Sequence, residues 1–506
     1  GLVTENWFDL NASRYTASST LQRMELLKTG YMGTLSLGWD NYLFLELTGR
    51  QERSSTLKDQ SFFYPSANLS FLFSNAFRMP AWWNHGKLRL SYGVVGNAPE
   101  TYAANIIYEQ GSDNGFTWNY VPSSWGNANI RPEKKYEYEI GFESKFLNNR
   151  LGFDVSYYNN RVKDQILSTP QPSTSGVKYV LMNVGEVANE GWDISVSATP
   201  VLTKNFRWDL TANYGIYRNK VVKLADGVPY LEISNIGGGG AKIQAVEGRP
   251  MGDIYVQVPQ MNENGEYLVS DKGLYMNQTE LQRVGNINPD GVGGLFSSFS
   301  YKNIFLDFSI DFRIGGDVIN EMYQYSTASG LTPESLQFRD TEHGGLSYYY
   351  PGNNNASGVP VQVDPSLGAG PNGETVYHDG VILPGVVAST GEKNTRIIPA
   401  GYYYNQTYNW GTQPEQLTYR HSVFDNSYVK LRELTIGYQF PEKLISKLGM
   451  TRLSVSVFGR NLFYFYKALK NYDAESSVGT SWASQAVVGG STTATRNFGV
   501  SLRASF

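Results

Sequence analysis

The chain has 506 residues, 41% of them hydrophobic, a formal net charge of −4 and no cysteine. The missing cysteine removes thiolate metal sites and Cys nucleophiles, and the acidic balance with no clustered basic face argues against a nucleic-acid partner. No run approaches the ~18 consecutive apolar residues of a membrane-spanning helix. A transmembrane barrel needs no such run, because only every second residue faces lipid.

Aromatic residues make up 14% of the chain, led by 36 Tyr, beside 52 Gly. The chain opens at Gly1-Leu2-Val3-Thr4-Glu5-Asn6-Trp7 with no signal peptide and directly in a strand-like run, which reads as a truncated or processed product.

Alternation of apolar and polar residues then persists along the chain. Taken in order, it predicts strands near 2–11, 13–26, 29–39, 41–54, 61–74, 86–95, 133–147, 150–163, 187–201 and 205–220. It predicts further strands near 293–301, 303–315, 427–440, 451–464 and 496–506. In the run from Phe206 to Ile216 every even position is apolar and every odd one is polar or Gly. Ile304, Leu306, Phe308, Ile310 and Phe312 interleave with Asp307, Ser309, Asp311 and Arg313. Such charges are costly in a sandwich core and comfortable in a water-filled lumen.

Short connections such as Leu147-Asn148-Asn149-Arg150 alternate with long ones near 96–132, 221–291 and 317–424, the asymmetry of an outer-membrane barrel with extracellular loops. Aromatic clusters near strand ends, among them Trp7-Phe8, Trp82-Trp83 and Phe463-Tyr464-Phe465-Tyr466, suit girdles at the headgroup level. A phase change, with Val429 and Leu431 odd but Leu434, Ile436, Tyr438 and Phe440 even, predicts a β-bulge near Arg432-Glu433. The terminal strand puts Phe498, Val500, Leu502, Ala504 and Phe506 on one face, expected to be the lipid face. The fold class is all-β, a transmembrane antiparallel β-barrel.

Four stretches resemble the SusC/RagA family of TonB-dependent outer-membrane importers of Bacteroidota. They are Lys87–Asn97, Asn183–Asp193, Asp425–Tyr438, and Phe458–Phe463 followed by Asn471-Tyr472-Asp473-Ala474-Glu475. Ala474 stands where the family usually has Pro, and Asp193 where Glu is commoner. The resemblance implies about 14–15 strands from the C-terminal part of a 22-strand barrel, with plug, TonB box and first strands lying elsewhere. Two unpaired edges cannot stand in lipid, so the remainder of the same barrel or a completing chain is expected.

The resemblance further implies import of an oligosaccharide or peptide ligand, not catalysis. The expected partners are a SusD-like surface lipoprotein, TonB-ExbB-ExbD reached through an N-terminal region, and outer-membrane lipids, with pairs of such complexes dimerising. No cofactor, metal or catalytic residue is expected.

Loop aromatics that would stack on sugar rings are Trp118, Tyr120 and Trp125, with Tyr349 and Tyr403 from two Tyr triplets. Packing of the loops against each other is the alternative for each. His85, His343, His378 and His421 are scattered, with none at metal-ligand spacing from a partner, and Asn286-Ile287-Asn288-Pro289-Asp290-Gly291 reads as a turn before a calcium loop. A passive porin or structural barrel, and a soluble β-rich glycan-binding protein, stay open as alternatives.

Overall fold

The computed structural model describes residues 23–57, 61–105, 107–113, 116–171, 176–409, 418–469, 471–490 and 494–506, with residues 3, 6 and 174 besides. The expected strand at 2–11, most of that at 13–26 and the Trp7-Phe8 cluster lie outside them.

Thirteen strands form one antiparallel sheet in chain order. They are β1 (Lys28–Trp39), β2 (Leu43–Ser54), β3 (Ser61–Phe71), β4 (Trp83–Asn97), β5 (Glu133–Phe146), β6 (Leu151–Lys163) and β7 (Glu186–Leu202). β8 (Phe206–Lys223), β9 (Gly291–Tyr301), β10 (Ile304–Ile314), β11 (Tyr428–Gln439), β12 (Arg452–Lys467) and β13 (Asn497–Ser505) complete it. No helix among the described residues is long and apolar enough to cross a membrane; a barrel crosses with strands.

The register gives the sheet two unlike faces, because residues directly opposite in an antiparallel ladder share a face. One row across eight strands runs Leu37, Leu45, Leu69, Leu90, Ile140, Tyr157, Trp192 and Ile216. Leu37, Leu90, Ile140 and Trp192 are exposed, Leu37 by 53% and Ile140 by 50%, and the other four are half-buried. A continuous apolar row across eight strands, opposite a charged face, suits lipid.

The adjoining row on the opposite face runs Ser70, Arg89, Gly141, Ser156, Asp193, Gly215, Val292, Arg313 and Tyr428. At the last strand, Leu502 sits opposite Val455 and Val500 opposite Val457, which puts Phe498, Val500 and Leu502 in the apolar face. Phe498, Val500, Leu502 and Phe506 are exposed by 70–82%.

Connections alternate in length from end to end. At one end they are mostly tight: 40–42, 147–150, 203–205 and 302–303. Asp40 and Asn41 both take positive φ (44° and 54°), the pair of left-handed residues that a two-residue hairpin turn of the favoured hand demands. At the other end run 98–132, 224–290 and 315–427, close to the three long loops expected. Two more, 164–185 and 468–496, also lie there; the sequence reading passed over them.

The described residues of these long connections are packed. Four short strands, Tyr230–Ile236, Ala241–Val246, Asp253–Val256 and Gln282–Asn286, form a sheet of their own. Ile236, Ile243, Ile254 and Val256 from that sheet bury against Ile319, Tyr419 and Val423 of the 315–427 connection and Ala486 and Val487 of 468–496. A fully buried Ile or Val contributes about 1.5–3 kcal/mol, enough to join segments that share no long strand. Ile319-Asn320 also pairs in parallel with Val487-Val488.

Candidate functional site: the inner face of the wall and the loop body

The inner face carries a charged seam built by register. Arg89 on β4 lies across Gly141, the residue opposite it on β5; a Cβ there would sit 2.7 Å from Arg89 Nε. The absent side chain lets the guanidinium reach β6, donating from Nη2 to Asp154 Oδ1 at 2.6 Å and to Ser156 Oγ at 3.1 Å. Nη1 also donates to Glu143 Oε2 at 3.4 Å. A concavity of about 700 Å³ opens above this seam, lined by Arg89, Asp154, Asp193, Asn213, Asp311 and Arg313 among others. Arg313 donates to the backbone carbonyls of Ile287 (2.9 Å) and Gly315 (3.2 Å), so it ties the end of β10 to the loop body.

Arg432 is the centre of a second cluster. The ladder of β11 with β10 skips from Leu431 to Glu433, and so does its ladder with β12. Arg432 is thus the extra residue of a β-bulge, at the place the phase change indicated. The bulge sends Arg432 to Asp311 on β10, with Nε 3.1 Å from Oδ2, and to Glu475 of the 468–496 connection, with Nη1 2.9 Å from Oε2. Lys430, only 2% exposed, donates to the same Glu475 oxygen at 2.5 Å. Burial works against ionisation of Glu475, but the hydrogen bonds from Arg432 and Lys430 outweigh it and hold the carboxyl down to about 2. Asn461, itself at positive φ (53°), accepts from Arg432 Nη1 at 3.0 Å, and Tyr464 donates to Asp473 at 2.6 Å. The 468–496 connection is therefore clasped to the wall through the very residues, 471–475, that carried part of the family resemblance.

The expected ligand aromatics fall in different surroundings. Trp118 and Tyr120, 48% and 44% exposed, stand with Phe116 on one face of the hairpin Glu109–Asp113/Phe116–Tyr120. Trp125 lies opposite Val180 in a short parallel pairing of Ser124-Trp125 with Tyr179-Val180, and its buried indole N–H meets no acceptor among the described residues. Tyr349 is half-buried on a strand between Val361 and Val376. Tyr403 packs against two buried clusters, and burial pushes its phenol well above the ordinary range. Its ring offers a ligand less than those of Trp118 or Tyr120.

Among the described residues no group of three or more His, Cys, Asp or Glu could hold a metal. His378 Nδ1 meets Ser347 Oγ at 2.8 Å and His343 Nδ1 meets Asp340 at 2.7 Å, two separate pairs. In the 286–291 turn, Asn286 Oδ1 accepts from Asn288 N at 2.8 Å, so that oxygen is used within the turn.

Residues 5–254 match the family model described as TonB dependent receptor-like, beta-barrel. The chain is 22% identical over 494 residues to TonB-dependent receptor P3 of Formosa agariphila, covering 88% of this chain and 42% of that protein. It is 27% identical over 256 residues to TonB-dependent receptor SusC of Bacteroides thetaiotaomicron, covering 44% of this chain and 24% of that protein. Among solved structures, the RagAB peptide importer in its open-open state aligns with TM-score 0.68 at 19% identity, over 99% of this chain and 50% of the other. The RagAB peptide transporter aligns with TM-score 0.67 at 19% identity, over 93% and 48%. The chain spans less than half the length of the curated relatives it matches. With a wall that is apolar outside and charged inside, the chain is similar over most of its length to the SusC-like TonB-dependent receptors of the outer membrane.

Proposed function

We propose that this chain forms part of the barrel wall of an active importer for oligosaccharides or peptides. The observation that carries the reading is the pairing of a charged inner face with a packed loop body at one end only. A seam of Arg89, Asp154, Asp193, Asp311 and Arg313 lines the water-facing side, and the connections at 98–132, 224–290 and 315–427 gather where a ligand would first arrive. In this reading those connections are extracellular, a SusD-like lipoprotein covers them, and TonB acts through a region of the whole protein beyond this chain. The likeness to SusC and to RagAB supports the partnership with a lipoprotein. The remaining strands of a 22-strand barrel pair with the edges that β1 and β13 present among the described residues.

Trp118 and Tyr120 are the aromatics best placed to meet a ligand; Trp125, Tyr349 and Tyr403 then support the loops around it. The test is binding of defined oligosaccharides and peptides to the whole polypeptide purified with its lipoprotein. Loss of an aromatic stack removes about 0.5–1.5 kcal/mol, roughly 2- to 10-fold in Kd. Trp118→Ala and Tyr120→Ala should each weaken binding to that extent with the heat-stable barrel retained. Failure of both ligand classes to bind would contradict import of either, and unchanged Kd in both variants would remove the hairpin from the site.

A further inference from the structure

Most connections at the short end of the wall are two to four residues long, whereas that between β11 and β12 occupies residues 440–451. Pro441 caps the helical turn Glu442–Ile445, Ser446–Leu448 continues as a 3₁₀ turn, and Gly449 closes it in the left-handed conformation (φ 72°). Ile445 is buried, only 2% exposed, which fixes the rotation of the turn about its axis. Leu444 and Leu448 are consequently left 64% and 66% exposed, with exposed Lys443 and Lys447 beside them. Leu444/Leu448 and Lys443/Lys447 are each four residues apart, so each pair is close along one side of the turn.

The turn follows directly on the lipid face of the wall. Ile436 and Tyr438 on β11 lie in the outward row opposite Val457 and Val455, and the Tyr438 ring meets Phe440 edge-on at 5.2 Å just before the turn begins. Leucines exposed next to that belt have lipid as their neighbour, and lysines beside them lie where a bilayer presents its phosphates. We infer that the 440–451 turn is an interfacial anchor: Leu444 and Leu448 enter the acyl-chain boundary at the short-turn end, and Lys443 and Lys447 bind lipid headgroup phosphates. The inference rests on the wall spanning a bilayer; the occupant is the membrane itself.

The test uses the whole polypeptide in nanodiscs containing an anionic phospholipid. This chain has no cysteine, so none of its own competes with an introduced label. Nitroxides at Leu444→Cys, Leu448→Cys and Lys443→Cys are compared for relaxation by oxygen, which concentrates in lipid, and by a water-soluble nickel chelate. Val457→Cys, 59% exposed in the middle of the outward face, is the control. Labels at 444 and 448 should favour oxygen and the label at 443 should favour nickel. In Lys443→Glu/Lys447→Glu the oxygen preference at 444 should fall several-fold. Nickel access at 444 and 448 equal to that at 443, with Val457→Cys in lipid, overturns the anchor. An unchanged preference after charge reversal overturns the phosphate contact. Nickel access at 457 as well would instead overturn the membrane-spanning reading beneath it.

Discussion

Replacing Glu475 with Gln should release the 468–496 connection from the wall. Glu475 is the counter-charge to both Arg432 and Lys430, and its side chain is 29% exposed while that of Lys430 is 2% exposed. The folded state holds the carboxyl from 4.5 down to about 2, which at 1.36 kcal/mol per pH unit corresponds to roughly 3 kcal/mol. The neutral amide also leaves the Lys430 ammonium buried without a counter-ion, a loss of about 3–5 kcal/mol when a buried pair is broken. A release of about 3 kcal/mol raises local opening on the order of 100-fold.

Hydrogen exchange followed by mass spectrometry reads this directly in peptides from 468–490. Glu475→Gln should lower their protection by about two orders of magnitude and leave peptides of β5 to β8 unchanged. Because the folded carboxyl is depressed, its stabilisation is fully present above 4.5 and is lost as pH falls through about 2. Protection in the native chain should accordingly be flat at neutral pH and fall only on acidification below 4.5. Equal protection of the native and Glu475→Gln chains at pH 7 would refute the clasp.

Three other changes follow from single contacts. Gly141→Ala places a Cβ 2.7 Å from Arg89 Nε and should break the reach to Asp154, costing about 1–3 kcal/mol, read as a lower temperature for barrel unfolding in detergent electrophoresis. Asp253, fully buried, accepts from Arg249 Nε at 2.7 Å and forms an ion pair with Arg283, whose Nε lies 2.8 Å away. Asp253→Asn should cost about 3–5 kcal/mol and expose the 224–290 connection to trypsin while the wall stays intact. Asn320→Ala should fray the helix Glu321–Ala328 by about 1 kcal/mol, because Asn320 Oδ1 caps it from Tyr323 N at 2.9 Å; exchange in that helix measures it.

The wall was legible in the sequence because a strand with one face in lipid and one in water writes its register into every second residue. The stretch from Ile304 to Phe312 needs no tertiary information to be read. The bulge at Arg432 was legible for the same reason, as a break in phase. Its purpose was not, since Asp311 and Glu475 come from far along the chain. The 164–185 connection escaped notice because its strands, Ile166–Pro170 and Tyr179–Asn183, are too short to show a period. The roles of the aromatics depend on partners no local pattern encodes: Tyr403 packs into two clusters while Trp118 stays exposed, although each sits in an aromatic-rich loop.

The polypeptide that carries these 506 residues in the cell envelope can be weighed as it is extracted. Its intact mass after detergent extraction from outer membranes, with N-terminal sequencing of every co-purifying chain, is the decisive measurement. The expected result is a detergent-dependent species of about twice this length accompanied by a lipoprotein. A stable species of 506 residues that stays in solution without detergent would contradict it.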